Sequence, residues 1–321
     1  MLHIRIAVPA ALTEPVLDVF SDDQAVSHLA VLRGASIQPS GDLVMADVAR
    51  EAANEIIERL ESMGVAESGT IHVGAVESWV SKSGLEAERQ TPGRSADAVV
   101  WADVTQSAYD ESELNWTYVA FMTMATMLAG IAIVLDSQIL VIGAMVLGPE
   151  FITIAALGLA LVRGRGLLFG RAIRTLAVGF IVAIVLTTLA ALVARGLGWI
   201  VVEDVTGARP GTDFIYSTDK WSFIVALIAA AAGVLSLTSA KVGGLSGAFI
   251  SVTTIPAAGN VALGAAFGAM SEVWGSALQL LVNITGMVVA GWLTLALQQM
   301  VWNKRARTRL ASRQKSQQPG T

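Results

Sequence analysis

Gln138–Val162 reads QILVIGAMVLGPEFITIAALGLALV, and one residue in it governs how the whole chain is understood. The stretch is long enough to cross a bilayer, and Glu150 is its one charged residue. A carboxylate at that depth costs on the order of 3 kcal/mol even on lenient insertion scales, so it faces a partner, a cavity or a permeation path. Gly148-Pro149, just before it, cannot continue a regular helix. Proline has no amide donor and frees the carbonyl one turn earlier. An ionisable group beside a broken helix at the membrane midplane is a pattern that transporters and channels use.

The composition around this stretch agrees. The chain is 54% hydrophobic and 15% charged, with a mean hydropathy of +0.62. That describes a polytopic membrane protein with a soluble piece rather than a soluble enzyme. The absence of cysteine excludes disulfides, thiolate metal sites and cysteine nucleophiles. The first twenty residues lack the unbroken apolar core of a signal peptide. Charge is split: residues 1–115 hold 19 acids and 7 bases, whereas residues 116–321 hold 7 acids and 14 bases. Lys304, Arg305, Arg307, Arg309, Arg313 and Lys315 form an acid-free tail that suits an anchor on an anionic inner leaflet. A nucleic-acid partner is not expected of so short a tail.

Four segments follow from the pattern: a cytoplasmic domain over 1–77, a polar connector over 78–115, a transmembrane domain over 116–302 and a basic cytoplasmic tail over 303–321. In the first, Leu2–Val8 alternates as a strand, with His3 and Arg5 opposite the apolar row. Thr13–Phe20 reads as a helix with Thr13 as N-cap. Val26–Gln38 and Leu43–Val48 read as strands joined by Pro39-Ser40-Gly41-Asp42. Arg50–Met63 is an amphipathic helix ended by Gly64, and Thr70–Val76 a last strand. This βαββαβ order predicts an α+β, ferredoxin-like domain. The connector predicts a short helix along the membrane surface.

Six apolar spans are predicted near Trp116–Leu135, Gln138–Val162, Ala172–Ala194, Trp221–Leu237, Gly244–Gly268 and Val273–Trp302. Trp116, Trp221 and Trp302 mark interfaces. Arg163, Arg165, Arg171 and Arg174 place the loop after the second span in the cytoplasm, and six spans then put both termini there. The loop Gly196–Lys220, with Glu203, Asp204, Asp213 and Asp219, falls outside. Small-residue landmarks recur: Ala129-Gly130, Gly143-Ala144-Met145 and Pro149 in one half, Ala232-Gly233, Gly247-Ala248-Phe249 and Pro256 in the other. Two three-span halves of opposite orientation form an inverted repeat, although small residues also serve plain helix packing.

The segment Ile139–Leu147 with Gly148-Pro149, after the tight Asp136-Ser137-Gln138 turn, resembles the signature of the domain-of-unknown-function 389 family. These are bacterial and archaeal conserved hydrophobic membrane proteins. The resemblance covers roughly residues 118–260, and IGAMVLGPE at Ile142–Glu150 is its most specific phrase. It implies a membrane protein of unassigned activity in a bacterial or archaeal plasma (inner) membrane, and brings no catalytic residues with it.

The candidate site gathers around the break. If the helix restarts at Pro149, Glu150 lies in its first turn, where an acid suits the helix dipole. The functional reading is cation coordination or reversible protonation during transport. The plainer one is a capped glutamate that holds a kinked helix together. Ser251, Thr253, Thr254, Pro256 and Asn260 form the matching polar segment of the fifth span, either as the second half of the site or as interhelical hydrogen bonds. Gln279 and Asn283 share a face of the sixth span, where packing suffices to explain them, though Asn283 can line the same cavity. Lys241 reads as snorkelling to headgroups, and Asp136 and Glu272 as solvated turn residues. His3 and His72 fall on neighbouring strands of the expected sheet, but no third metal ligand is visible beside them.

No phosphate-binding glycine loop, nucleophile elbow or HExxH helix is present, and histidine is absent from the membrane domain, so enzymatic activity is not expected. No cofactor is implied. The sequence points to a homo-oligomeric transporter or channel for an unknown small solute or ion, with the lipid bilayer as its other partner. The alternative is a membrane-anchored ligand sensor or scaffold whose helices only anchor and oligomerise.

Overall fold

The structure is a computed structural model that describes residues 1–76, 78–93, 95, 98–212, 215, 220–238 and 253–317, with side chains except at 220–222 and 303–317. The chain forms two compact units. One takes in Met1–Val104 and the chain from Gln298 onward, the other Thr105–Leu237 and the chain up to Leu297.

In the first unit, β1 (Leu2–Val8), α1 (Ala10–Ser21), β2 (Val26–Ile37), β3 (Ser40–Val48), α2 (Ala53–Ser62), α3 (Val65–Ser68) and β4 (Thr70–Ala75) follow in order. The sheet is antiparallel throughout, in the order β2-β3-β1-β4. Ile4, Ile6 and Val8 of β1 and Val44, Ala46 and Val48 of β3 face Val16 and Phe20 of α1 and Ile56 and Leu60 of α2, all fully buried. The alternation read from β1 is therefore the inner face of the core. Gly64 ends the amphipathic helix at φ 75°, as its sequence predicts.

Two local expectations need correcting. The first helix begins at Ala10, because Pro9 at φ −55° already turns the chain and Ala10-Ala11-Leu12 are good helix formers. Thr13 is therefore no cap: it lies inside the helix and its hydroxyl donates to Asp42 Oδ2 at 2.7 Å. The third strand begins at Ser40 rather than Leu43, inside the expected turn, while the second ends at Ile37, one residue short of Gln38.

The connector contributes α4 (Lys82–Gln90) and α5 (Trp101–Glu111). Its apolar stretch is buried within the first unit: Asn54 of α2 donates to Val99 O at 2.6 Å and accepts from the Trp101 amide at 3.0 Å. Val100 joins Leu2, Ala53 and Ile57 in a small cluster. Glu88 of α4 pairs with the Met1 ammonium at 2.9 Å.

The second unit is helical: α6 (Trp116–Val134), α7 (Gln138–Leu147), α8 (Glu150–Arg163), α9 (Gly166–Gly196), α10 (Val202–Thr206), α11 (Lys220–Thr238), α12 (Thr254–Phe267) and α13 (Met270–Gln317), which runs on into the first unit. Three helices are long and apolar enough to cross a membrane: α6, α9 and the Met270–Trp302 part of α13. The α7–α8 pair makes a fourth stretch of that character, bent by 54° at its break. Among the described residues the six expected spans are met only in part. The Pro149 break divides the second, α11 and α12 are shorter apolar helices, and the first part of the fifth lies outside the described residues, as do Lys241 and Ser251. Outward-facing Ile131, Ile139, Leu189, Val193, Ile228 and Leu281 leave an apolar surface that water would not tolerate on a soluble monomer. The apolar helices mark the chain as a membrane protein.

A regular interval runs through this unit. The helices α6, α8 and α9 start at 116, 150 and 166, and α11, α12 and α13 start at 220, 254 and 270, each 104 residues later. Gly164 and Gly268, also 104 apart, end α8 and α12 in the same left-handed conformation. Contacts keep the interval as well. A Cβ on Gly130 would meet Thr187 at 3.6 Å, and one on Gly291 would meet Val234 at 3.4 Å. Gly158 lies against the Trp292 backbone as Ala262 lies against Thr188, whose hydroxyl reaches the Ala262 carbonyl at 3.3 Å.

Candidate functional site

At the centre of the second unit, α8 and α12 are buried on nearly every side, as helices apolar all round should be. They run in opposite directions. Thr188 and Arg195 of α9 bond Ala262 and Ala266 in the same order, so α12 is parallel to α9. The tight Gly164-Arg165 turn makes α8 antiparallel to α9: Thr153 bonds the Glu111 carbonyl, and Thr175 the neighbouring Ser112 carbonyl. Both helices start where they meet. Glu150, fully buried, is the first residue of α8, and Thr254, fully buried, the first of α12. The Thr254 hydroxyl donates to Glu150 Oε1 at 2.7 Å.

The local backbone explains the arrangement. Pro149 stands one position earlier than expected, as the N-cap at φ −90° rather than the first helical residue. Its ring and missing amide stop α7, and Glu150 opens α8. Gly148 lets the carboxylate fold back: a Cβ there would overlap Glu150 Oε2 and stand 2.7 Å from Ile255 Cγ1. On the other side, Thr253 holds φ 28°, a left-handed conformation that costs a non-glycine residue about 1–3 kcal/mol. Asn283 of α13, 1% exposed, donates from Nδ2 to Thr253 Oγ1 at 2.6 Å. Pro256 is buried in the first turn of α12, where its missing amide costs nothing.

Of the residues singled out from sequence, Gly148, Pro149, Glu150, Thr253, Thr254 and Asn283 come together. Asn260 does not join them. It bonds Ser276 Oγ and Glu272 Oε2 through Nδ2, both at 2.8 Å, and accepts from Arg209 at 3.2 Å. Glu272 is not a free solvated acid either, since Arg209 pairs with it at 2.9 Å and leaves it 15% exposed. Asp136 accepts from the Gly211 amide and the Thr212 hydroxyl at 3.1 and 2.9 Å. The loop after α9 is thus folded onto the helix ends, with Val205 and Ile215 buried in an apolar cluster beside Ile133, Val141 and Leu263. Arg209 is the residue sequence reasoning missed. Its signal was a base in the middle of a loop otherwise rich in acids.

The histidines fall elsewhere. His3 bonds Asp47 at 2.7 Å across β1–β3, with His28 of β2 at 3.9 Å from the same carboxylate, while His72 faces Arg5. Among the described residues, no group of three or more His, Asp or Glu side chains is placed to hold a metal ion.

The family model described as Domain of unknown function (DUF389) matches residues 145–289, a segment that includes both helix starts and the Arg209 cluster. Over that segment the chain is similar to the DUF389 family. No curated protein and no solved structure matches the chain.

Proposed function

We propose that this protein moves a small solute or ion across a plasma (inner) membrane, through a site between the facing starts of α8 and α12. The observation that carries the reading is Glu150, a fully buried carboxylate at a helix break, held by Thr254 from a second helix start. A helix that served only as an anchor gains nothing from burying an acid at that cost. The strained Thr253 beside it fits a site that trades stability for function.

The 104-residue interval supports an inverted repeat of two three-helix halves, with α8 and α12 as the broken element of each. In that plan the chain spans the membrane six times and both termini are cytoplasmic, a reading that the arginines after α8 support. Glu150 and Thr254 occupy the same position in the two halves, so the site lies on the pseudo-twofold axis that relates them. The strand order β2-β3-β1-β4 supports a ferredoxin-like N-terminal domain, in a regulatory role. Close helix approaches at Gly158 and Gly259 show how small residues pack this bundle, and the same kind of surface suits homo-oligomers.

Reconstitution in liposomes tests the proposal. Wild-type protein is expected to pass a proton or small ion down an imposed gradient. Glu150→Leu, checked for folding by gel filtration and circular dichroism, is expected to reduce that flux at least tenfold. A folded wild-type protein that carries no solute under any gradient would remove the transport reading.

A further inference from the structure

We infer, resting on the transport reading above, that the solute reaches the Glu150–Thr254 site from the outer surface along the buried polar face of α13, and that the Arg209–Glu272 pair closes this path.

The surface of α13 is reversed relative to a helix in water. Trp274, Leu278, Leu281 and Val289 are exposed, whereas Glu272, Ser276, Gln279 and Asn283 turn inward, the last three at 1% exposure or less. These four are spaced by four, three and four residues, which puts them on one face of the helix. They cover about 16 Å of helix, roughly half the thickness of a hydrocarbon core. Polar side chains in a membrane span face the bundle interior or a water-filled cavity, and ionisable ones mark solute pathways.

The stripe runs from a surface to the break. Asn283 donates to Thr253 Oγ1 at 2.6 Å, and Ser276, seven residues earlier, accepts at 2.8 Å from Asn260, seven residues later. The two segments therefore lie side by side and antiparallel. One end of the stripe adjoins the break, because Thr253 precedes Thr254, whose hydroxyl bonds Glu150. The other end is the start of α13, where Glu272 accepts from Asn260 at 2.8 Å and pairs with Arg209 at 2.9 Å. Arg209, 6% exposed, belongs to the loop that follows α10, so that loop carries its charge onto the mouth of the stripe. In the six-span plan this mouth opens on the face opposite the arginines after α8, which is the outer one.

Helix packing alone does not call for such a stripe. At the 104-residue interval the same positions of α9 are Leu168, Ala172, Thr175 and Gly179, all buried. That face packs with one hydroxyl where α13 has an acid, a hydroxyl and two amides. Hydroxyls and amides both donate and accept, so they can exchange their bonds with water or a passing polar solute. A buried ion pair adds little stability over well-packed apolar residues, but it suits a contact that has to break and re-form.

The test reads water access along α13 in the full chain, which has no cysteine of its own. Single cysteines replace Ser276 and Gln279 on the stripe and Leu278 and Leu281 on the apolar face. Ser276→Cys exchanges one atom, and Gln279→Cys is a second reporter. In sealed right-side-out vesicles a small, membrane-impermeant methanethiosulfonate is added outside. Ser276→Cys and Gln279→Cys are expected to react, and Leu278→Cys and Leu281→Cys to stay unmodified. Glu272→Gln removes the charge that holds Arg209 and keeps a carbonyl for Asn260. It is expected to speed the reaction of Ser276→Cys about tenfold, because a thiol behind a closed contact reacts only as often as the contact opens. In liposomes, modified Ser276→Cys is expected to lose the proton or rubidium flux that the unmodified variant carries. Equal reactivity on both faces, or none on the stripe of folded protein in either background, overturns the path. Flux that modification leaves untouched also overturns it, and the transport reading then stands. A rate unchanged by Glu272→Gln overturns the closure by Arg209. No flux of any probe from unmodified protein overturns the transport reading, and the path with it, whatever the labelling.

Discussion

Gly148 shows how one missing side chain sets the site. The volume a Cβ would take is filled by the Glu150 carboxylate and Ile255, so the acid can lie back on the break and still meet Thr254. A carboxylate in the other unit is held quite differently. Asp42 accepts from the Thr13 hydroxyl and the Gly34 amide, both at 2.7 Å, and the Arg33 guanidinium stands 4.0 Å away. These contacts hold it below the usual carboxylate range, the Thr13 bond most of all. Because the folded value is depressed, the stabilisation is present above the unfolded value of about 4 and is lost as pH falls through the folded value. Asp42→Asn is therefore expected to lower the thermal midpoint of the full chain at pH 7. The gap to wild type should close as the pH falls below about 4. Melting curves in detergent across that range check it, and a gap that stays constant with pH would rule the account out.

Between single residues and the whole molecule stand the elements, and the loop after α9 is the one that departs most from its sequence. Glu203, Asp204, Asp213 and Asp219 make it look like a solvated acidic connection. Yet Arg209, 6% exposed, reaches inward to Glu272 and Asn260, and Thr212 ties the same segment to Asp136. Removing one partner of a buried ion pair strands the other, at about 3 kcal/mol. Arg209→Ala is expected to lose about that much in a denaturant titration, while Arg209→Met combined with Glu272→Leu should regain most of it. Equal losses in the single and double variants would mean that the pair does not hold the loop. What was legible here, and what was not, follows from how sequence carries information. Long apolar runs announced the helices, and Gly148-Pro149 announced the break, because length and backbone chemistry are local. The partners of Arg209, Glu150 and Asn260 were not legible. Periodicity reports the face a side chain occupies, not the distant segment that will meet it. The bond from Thr254 to Glu150 spans 104 residues of chain.

At the scale of the whole molecule, that same interval is the organising fact of the second unit. The sequence hinted at it through Gly143-Ala144 and Gly247-Ala248, which stand 104 apart, but paired Pro149 with Pro256, which do not. Helix starts and the two left-handed glycines keep the interval where side chains differ, because a packing plan constrains where helices begin and end more tightly than which apolar residue fills them. If the two halves are inverted, equivalent positions must lie on opposite sides of the membrane. Gly166 and Met270 begin α9 and α13, are both exposed and are 104 residues apart. A Cβ at Gly166 would meet nothing within 4 Å, so a cysteine fits there without strain. The chain has no cysteine of its own, so single substitutions report without background. In sealed right-side-out vesicles, Met270→Cys is expected to react with a membrane-impermeant maleimide from outside and Gly166→Cys only after the vesicles are opened. Labelling of both from the same side would make the repeat parallel, and the facing helix starts at Glu150 and Thr254 would then need another origin than an axis in the membrane plane.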